Sequence, residues 1–199
     1  MALTIQKSRL LLIIPLLFGL LLGGWVWNFK ADVPDSPSSI QLGGDFTLES
    51  YQGDVSLQDF KGKAVLLFFG YTSCPDVCPT GLAKMSAAIN LLTPEEAANV
   101  QPLFVSVDPE RDDPQKLAKY SAYFHSSLIG LTGKKEDIDR VVKAYGAFYR
   151  KVELNNSALG YSMDHTTRIY LINRDGKLSG LLFHDTAPAE IAEKLRTIL

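Results

Sequence analysis

The sequence predicts an α/β fold in which a partly parallel sheet lies between two layers of helices. Three observations support this prediction. Apolar runs typical of buried strands alternate along the chain with segments whose apolar residues recur at helical spacing. A hairpin followed by a helix ends the chain. The length of 199 residues suits one domain of about 150 residues with an N-terminal appendage.

The first part of the predicted domain contains a hairpin and two buried strands. Residues 45–48 and 55–57 are short strand-like segments around Gly53-Asp54, which is a turn signal. Residues 64–70 (AVLLFFG) and 100–107 are almost uninterrupted apolar runs, the pattern of strands that are covered on both faces. Residues 128–131 and 149–153 are weaker strand candidates.

Helices are predicted between these strands because apolar residues recur every three or four positions. The predicted helices cover residues 82–92, 114–124 and 136–148, and Asp113-Pro114 marks the start of the second. Met85 lies on the apolar face of the first helix, where a core methionine is expected and preferred to a metal ligand.

The last elements are a hairpin and a helix. Residues 167–173 and 178–184 flank Arg174-Asp175-Gly176, which is a hairpin signal. Residues 187–199 form the final predicted helix, with Thr186 or Asp185 as its cap and Pro188 in its first turn.

The N-terminal segment predicts a membrane anchor. Residues 10–27 (LLLIIPLLFGLLLGGWVW) carry no charge and approach the ~20 residues that span a bilayer. Lys7 and Arg9 precede this run, so the positive-inside rule places residues 1–9 in the cytoplasm and the domain outside it. A cleaved signal peptide is the alternative, which Gly23-Gly24 keeps open, although the run is long for one and lacks an A-x-A-like site.

The anchor also predicts where the protein lies. No transit peptide precedes it, which indicates a bacterial source, an inner-membrane protein with a single span, and a periplasmic domain. Residues 28–44 are rich in proline and serine and predict a linker, so the domain is expected over residues 45–199. The net charge of −2 and the absence of a basic stripe argue against nucleic acid as a partner.

Both cysteines of the chain lie in residues 70–80 (GYTSCPDVCPT), between a predicted strand and a predicted helix. Cys74 and Cys78 form a C-x-x-x-C motif, and Pro79 suits the first helical position. The positive end of the helix favours a thiolate nearby, which serves redox chemistry and metal binding equally. A purely structural disulfide is a poor explanation, because so short a loop removes little entropy from the unfolded chain.

Three stretches together resemble the Sco/SenC family: FGYTSCPDVCPT, FVSVDPER at residues 104–111, and DHTTRIYL at residues 164–171. The resemblance covers about residues 43–199. It implies a thioredoxin-like fold and a membrane-anchored copper protein that helps to assemble the dinuclear copper centre of cytochrome c oxidase. It also implies that Cys74, Cys78 and His165 are the copper ligands.

The predicted topology agrees with that role for one of the three histidines. His165 is expected to open a strand and to face the cysteine loop, where thioredoxins usually place a cis-proline. His125 and His184 have no such partners and are interpreted as structural. Asp164 is a candidate for a weak fourth ligand or for orienting His165. Asp76, between the cysteines, is a candidate for tuning the charge of the loop.

Two thiolates and one imidazole form a soft site with three ligands. Such ligands select Cu(I) or zinc, but a structural zinc site requires four ligands. Copper as Cu(I) is therefore the expected metal, with Cu(II) as a further oxidation state. The acidic run 108–113 lacks the pattern of a calcium loop, so we interpret it as an exposed loop available to a docking partner.

The sequence leaves two functions open and ranks a third last. The first is a metallochaperone, not an enzyme, that passes copper to the copper-bearing subunit of cytochrome c oxidase in the same membrane. The second is a thiol–disulfide oxidoreductase that uses Cys74 and Cys78 to reduce the cysteines of that subunit, with a thioredoxin-like protein as its reductant. A thiol peroxidase ranks last, because a second thiol lies only four residues from the first.

Overall fold

The computed structural model describes residues 42–155 and 157–199. In this part of the chain the strands are β1 (Thr47–Ser50), β2 (Gly53–Ser56), β3 (Ala64–Gly70), β4 (Val100–Ser106), β5 (Ile129–Leu131), β6 (Tyr149–Glu153), β7 (Tyr161–His165), β8 (Arg168–Ile172) and β9 (Leu178–Phe183). The helices are α1 (Val77–Ile89), α2 (Pro94–Ala98), α3 (Pro114–Phe124), α4 (Lys135–Ala144) and α5 (Pro188–Arg196), and Leu57–Phe60 form a 3-10 helix.

Five strands form the central sheet in the order β5-β4-β3-β8-β9. Strands β3, β4 and β5 are parallel, whereas β8 runs antiparallel to β3 and β9 antiparallel to β8. The pairs β1–β2 and β6–β7 form separate two-stranded antiparallel sheets. The predicted α/β class, with a partly parallel sheet, is therefore confirmed.

Strand β3 is the centre of the core, and every one of its residues is buried. On one face, Phe68 packs close to Gly81 of α1, where an added Cβ would lie 3.1 Å from the phenylalanine ring. On the other face, the ring of Phe69 makes edge contacts with Tyr145 and Tyr170, at centroid distances of 6.1 and 5.4 Å. Side chains cover both faces, which explains the uninterrupted apolar run in the sequence.

Several predicted boundaries were wrong by a few residues. The β1–β2 hairpin turns at Tyr51 and Gln52, and the predicted turn residues Gly53-Asp54 belong to β2. The 3-10 helix and α2 were not predicted, because both are short. Helix α2 starts with a capping box of Thr93 and Glu96, a signal that the sequence does contain.

The two ends of the described chain add further findings. The final helix has Ala187 at its N-cap without a side-chain hydrogen bond, so neither Thr186 nor Asp185 is its cap as predicted. Gly43, assigned to the linker from composition, donates its N–H to the carbonyl of Ala144 at 2.8 Å. Over residues 42–155 and 157–199, no helix combines the length and apolar character that a bilayer span requires. The predicted tail and anchor, residues 1–27, lie outside the described residues.

Three connections meet at one edge of the sheet. The cysteine loop follows β3, the 108–112 loop follows β4, and the turn from β7 to β8 begins at His165. Parallel β3 and β4 end at this edge, and antiparallel β8 begins there, because Phe68 pairs with Ile169. The carboxyl ends of parallel strands are the usual place for a functional site in such sheets.

Candidate metal centre

Helix α1 positions the second cysteine. The helix has Asp76 at its N-cap, so Cys78 is its second residue and Cys74 lies in the loop before it. Pro79 is the third helical residue rather than the first as predicted. The proline fits there because the N–H groups of the first turn have no partner within the helix. Cys78 is completely buried and Cys74 retains 9% of its exposure.

Cys74, Cys78 and His165 come together as predicted. Both cysteines are free thiols, and the two sulfurs and an imidazole nitrogen all lie within 4.8 Å of one another. Cys78 Sγ is 3.3 Å from His165 Nε2. A groove of about 430 Å³, lined by residues of the cysteine loop and of β7, opens beside the cluster. In the described part of the chain this is the one group of such side chains that can hold a metal ion.

His165 is held with one ring nitrogen facing the sulfur. Its Nδ1 lies 3.0 Å from the carbonyl oxygen of Thr166, which can only accept, so Nδ1 carries the proton. Nε2 is then the ring nitrogen that faces the sulfurs. The rings of Tyr71 and Phe68 contact the imidazole edgewise, at 5.8 and 6.4 Å between centroids. His165 was expected to open a strand, but it is the last residue of β7.

The predicted supporting aspartates do not contact His165. Asp164 is exposed and accepts two hydrogen bonds from Arg150, at 2.8 and 2.9 Å. The Thr166 carbonyl takes the position at Nδ1 that Asp164 was expected to fill. Adjacent residues of a strand point to opposite faces, which explains why a neighbour in sequence does not reach the imidazole. Asp76 is also exposed, and its nearest side-chain partner is Thr80 Oγ1 at 3.5 Å.

The two thiols have opposite acidities. A hydrogen bond from Cys78 is the main cause that lowers the pKa of Cys74 to about 3, and His165 contributes in the same direction. Burial raises the pKa of Cys78, and the neighbouring Cys74 raises it further. One proton is therefore shared by the pair and is held at Cys78, while Cys74 is the thiolate.

A family model described as SCO1/SenC matches residues 34–199. The chain belongs to the SCO1/SenC family. An SCO2-like protein of Rickettsia conorii is 33% identical over 198 residues, which cover 94% of this chain and 95% of the relative.

Solved structures of this family have the same fold. Copper-bound ScoI of Bradyrhizobium japonicum is 39% identical, with a TM-score of 0.72 over 79% of this chain and 99% of ScoI. BsSco is described as having a disulfide switch and as a member of the Sco family of cytochrome c oxidase assembly proteins. It is 26% identical, with a TM-score of 0.62 over 79% of this chain and 93% of BsSco. The thioredoxin-like Sco fold expected from the resemblance is thus confirmed.

Gly70, the last residue of β3, allows the buried cysteine to approach the sheet. An added Cβ there would lie 2.7 Å from Cys78 Sγ and 2.7 Å from the ring of Phe104. Real Cβ atoms do not come so close, so a larger residue here would force Cys78 Sγ or the Phe104 ring to move. Gly70 belongs to the cysteine motif, but this role could not be predicted from the motif.

Only part of the acidic run 108–113 is exposed as we predicted. Asp108 and Asp112 are 2% and 1% exposed. Tyr161 donates its hydroxyl proton to Asp108 Oδ1 at 2.8 Å, and Thr72 donates its backbone N–H to Asp112 Oδ2 at 2.8 Å. Buried carboxylates need such donors, and here the donors belong to the two segments that carry the metal-site residues.

Met85, His125 and His184, which we interpreted as structural, lie outside the cluster of Cys74, Cys78 and His165. Met85 is buried in the core at 1% exposure. His125 ends α3 and its Nδ1 lies 2.8 Å from Ser127 Oγ. His184 packs near Gly81 and is not part of the metal-binding group.

Proposed function

We propose that this protein is a copper chaperone that carries copper on Cys74, Cys78 and His165 and delivers it to the copper centre of cytochrome c oxidase. The observation that carries the proposal is the cluster of two sulfurs and one imidazole nitrogen within 4.8 Å. The copper-bound ScoI structure and the assembly role named for BsSco support it as properties of relatives.

The chemistry of the donors fits Cu(I) as the cargo. Thiolate is a soft ligand, Cys74 is already ionised in the metal-free protein, and Nε2 of His165 faces the two sulfurs. Binding must displace the proton held at Cys78, so copper loading is coupled to proton release. Three ligands suffice for Cu(I), whereas closed structural zinc sites use four.

The groove beside the cluster supports delivery rather than storage. Cys74 retains some exposure and lies at the groove, whereas Cys78 is fully buried. An acceptor ligand that enters the groove would meet Cys74 first, and copper could pass by exchange of one ligand at a time. A cargo site needs this open side, because a fully enclosed site would release its ion only on unfolding.

A thiol–disulfide reductase is the second candidate, and the opposite acidities of the thiols favour it. The Cys74 thiolate would attack a disulfide of the partner and form a mixed disulfide. Cys78 would then displace the partner's sulfur, leaving a Cys74–Cys78 disulfide and two reduced partner thiols. The two electrons come from the cysteine pair, so a thioredoxin-like reductant must restore it before the next cycle.

The anchor completes the proposal. Residues 10–27 would hold the chain in the bacterial inner membrane with the domain in the periplasm, close to a membrane-bound acceptor. N-terminal sequencing of the native protein tests this part. We expect the chain to retain its first residues, and a mature protein that starts after Gly24 would refute the anchor.

Titration of the reduced full-length chain with Cu(I), in competition with a chromophoric chelator, tests the ligand set. We expect one Cu(I) per chain. Cys74→Ser should nearly abolish binding, because a hydroxyl is a hard, protonated ligand, and His165→Ala should weaken it. His125→Ala is the matched control, since His125 bonds only locally to Ser127. Unchanged affinity in His165→Ala would contradict the ligand set.

A further inference from the structure

We propose that Arg111 and Asp112 are positioning residues that hold the two halves of the copper site. Asp112 holds the loop that carries Cys74, and Arg111 holds the strand that carries His165. The consequence for copper rests on the proposed function, but the positioning itself can be measured in the metal-free protein. Both residues belong to the 108–112 loop, which we predicted to be exposed and available to a docking partner.

Asp112 is a buried carboxylate surrounded by donors. Oδ1 accepts from Thr72 Oγ1 at 2.5 Å and from Lys116 Nζ at 3.0 Å. Oδ2 accepts from the backbone N–H of Thr72 at 2.8 Å and from Ser106 Oγ at 2.7 Å. The ammonium of Lys116 and the backbone N–H of Thr72 can only donate, and both hydroxyls are placed to donate, so the position favours a side chain with two acceptor oxygens.

The contact with Thr72 transmits this fixation to the metal site. Only Ser73 separates Thr72 from Cys74, and the Cys74 N–H is bonded to the Tyr71 carbonyl at 3.3 Å. The backbone before the reactive cysteine is therefore held on both sides of Thr72. The start of α1 sets the position of Cys78. Movement of the loop at Thr72 would therefore change the distance between Cys74 and Cys78.

Arg111 holds the other half. Its Nη1 donates to the carbonyl of Tyr161 at 3.0 Å, and its Nε donates to Asp108. The guanidinium also lies 3.7 Å from the centre of the Tyr161 ring, in a cation–π contact. Tyr161 is the first residue of β7 and His165 is its last, so these contacts fix the strand that presents the imidazole.

The planar guanidinium is needed for this set of contacts. The guanidinium donates from two nitrogens to two different segments while its face covers the Tyr161 ring. The single ammonium group of lysine cannot make all of these contacts. The same guanidinium lies 5.7 Å from the Tyr71 ring centre, and that ring contacts His165 edgewise. Arg111 therefore acts on the imidazole from β7 and from Tyr71.

The two positioning contacts are separable although the residues are neighbours. The side chain of Asp112 bonds to Thr72, Ser106 and Lys116, and none of these touches the Arg111 side chain. Lys116 does bond to Arg111, but only to its backbone carbonyl, which a substitution leaves in place. Each variant should therefore disturb mainly its own half of the site, because only the Tyr71 ring contacts both Arg111 and His165.

The first experiment uses the metal-free, reduced full-length chain and follows amide hydrogen exchange and the NMR signals of the His165 ring. Asp112→Asn replaces an acceptor oxygen with a donor, so amide exchange at residues 72–74 should rise on the order of tenfold, the effect of losing about one hydrogen bond. The His165 ring signals should move less than they do in Arg111→Lys. Asp175→Asn is the control, because Asp175 is exposed in the turn between β8 and β9, at the far end of the sheet.

The second variant should show the opposite pattern. Arg111→Lys should shift the His165 ring signals and speed exchange at residues 161–165 by a similar factor, while exchange at residues 72–74 should change less than in Asp112→Asn. Arg150→Lys is the control, since Arg150 lies on β6 and pairs in solvent with Asp164. It removes the same type of fork beside the same strand, and both regions should keep the signals of the unmodified chain.

Milder variants decide the question if either substitution unfolds the protein. Thr72→Val removes only the hydroxyl donor to Asp112, and Tyr161→Phe removes only the hydroxyl donor to Asp108. Each should reproduce the pattern of its partner variant in weaker form. If neither Asp112→Asn nor Thr72→Val alters exchange at residues 72–74, the role of Asp112 is refuted. If Arg111→Lys and Tyr161→Phe leave the His165 ring signals unchanged, the role of Arg111 is refuted.

Copper then links the positioning to the proposed function. Supporting residues around a metal site typically contribute 10–100-fold to affinity, so Asp112→Asn and Arg111→Lys should each weaken Cu(I) binding by about that factor. Normal affinity in both variants, with the exchange changes present, would show that positioning does not serve copper. If the unmodified chain binds no copper, the proposed function fails, and the exchange and ring signals still decide the positioning.

Discussion

Cys74 and Cys78 are the same residue type four positions apart, yet their thiols ionise in opposite directions. The difference comes from burial and from the order of contacts. Cys78 is fully enclosed, so its charged form loses solvation, whereas Cys74 receives a hydrogen bond from Cys78 and keeps contact with the groove. A spacing in the sequence cannot supply this assignment, since the helix dipole favours a thiolate at either position.

The assignment predicts selective alkylation at acid pH. At pH 5, iodoacetamide should modify Cys74 of the metal-free protein and leave Cys78 unmodified. An ordinary thiol loses about tenfold in thiolate for each pH unit below its pKa, whereas Cys74, with a pKa of about 3, stays ionised. Peptide mass spectrometry after timed alkylation gives both rates.

The sign of the pKa shift explains why reactivity is the better measurement. A lowered pKa at Cys74 stabilises the folded protein fully above the unfolded thiol pKa near 9, and this contribution is lost as the pH falls toward 3. The raised pKa of Cys78 acts in the opposite direction, so the two effects oppose each other in the free energy of unfolding. Cys78→Ala removes the main cause of the low pKa and should slow alkylation of Cys74 at pH 5. Equal modification of both cysteines would contradict the assignment.

A second prediction at the level of single residues concerns Gly70. Gly70→Ala places a methyl group 2.7 Å from both Cys78 Sγ and Phe104, which must then move. Overpacking of this kind costs about 1–3 kcal/mol in the free energy of unfolding, and displacement of the sulfur should weaken copper binding as well. Urea denaturation measures the first effect. Gly180→Ala is the control, because its nearest contact is an ordinary 3.4 Å to Leu171. Equal stability of the two variants would show that the close approach has no cost.

Among the helices and strands, β3 and α3 have the predicted bounds, because a continuous apolar run or a helical repeat identifies them. Strand β6 also has the predicted bounds, although its sequence is only a weak strand pattern. Helix α1 begins five residues before the predicted range of 82–92 and ends at Ile89, because the start of the helix carries no apolar repeat. The 3-10 helix and α2 are only four and five residues long, too short for a period to be recognised. Strand β7 has intermediate burial and pairs only with β6, so its sequence lacks the apolar pattern of a core strand.

A prediction for the secondary-structure elements concerns the N-terminal cap of helix α3. Asp113 is its N-cap and accepts a hydrogen bond from the backbone N–H of Lys116 at 2.7 Å. Asp113→Ala should therefore lower the free energy of unfolding by about 1 kcal/mol. Asp185→Ala is the matched control, since α5 begins without a side-chain cap. Thermal and urea unfolding of both variants measure this change in the free energy of unfolding. A comparable decrease in Asp185→Ala would mean that loss of the cap is not the cause.

At the scale of the whole molecule, the site combines three segments that are far apart in the sequence. The two cysteines were found locally, from one motif. His165 lies 87 residues beyond Cys78 and was identified from the expected topology and from the family resemblance. Arg111 and Asp112 were missed, because an acidic run in solvent and an acidic run buried beneath a loop have the same composition. Only the three-dimensional partners of Asp112 distinguish them.

The same two sulfurs would bind copper and form the disulfide, so the copper-bound state and the disulfide state exclude each other. A disulfide has no thiolate left for a metal, and the periplasm proposed for the domain is oxidising. Oxidation of Cys74 and Cys78 removes two electrons and two protons, and a thioredoxin-like reductant would return them. The redox state of the pair would then control loading.

The most direct test is an anaerobic Cu(I) titration of the full-length chain in its two redox states. The protein is oxidised first, the loss of free thiols is confirmed, and copper is added with no reductant present. We predict one Cu(I) per reduced chain, none for the disulfide form, and full recovery after reduction and removal of the reductant. Stoichiometric binding by the disulfide-bonded chain would show that Cys74 and Cys78 are not the ligands, and would refute the proposed copper site.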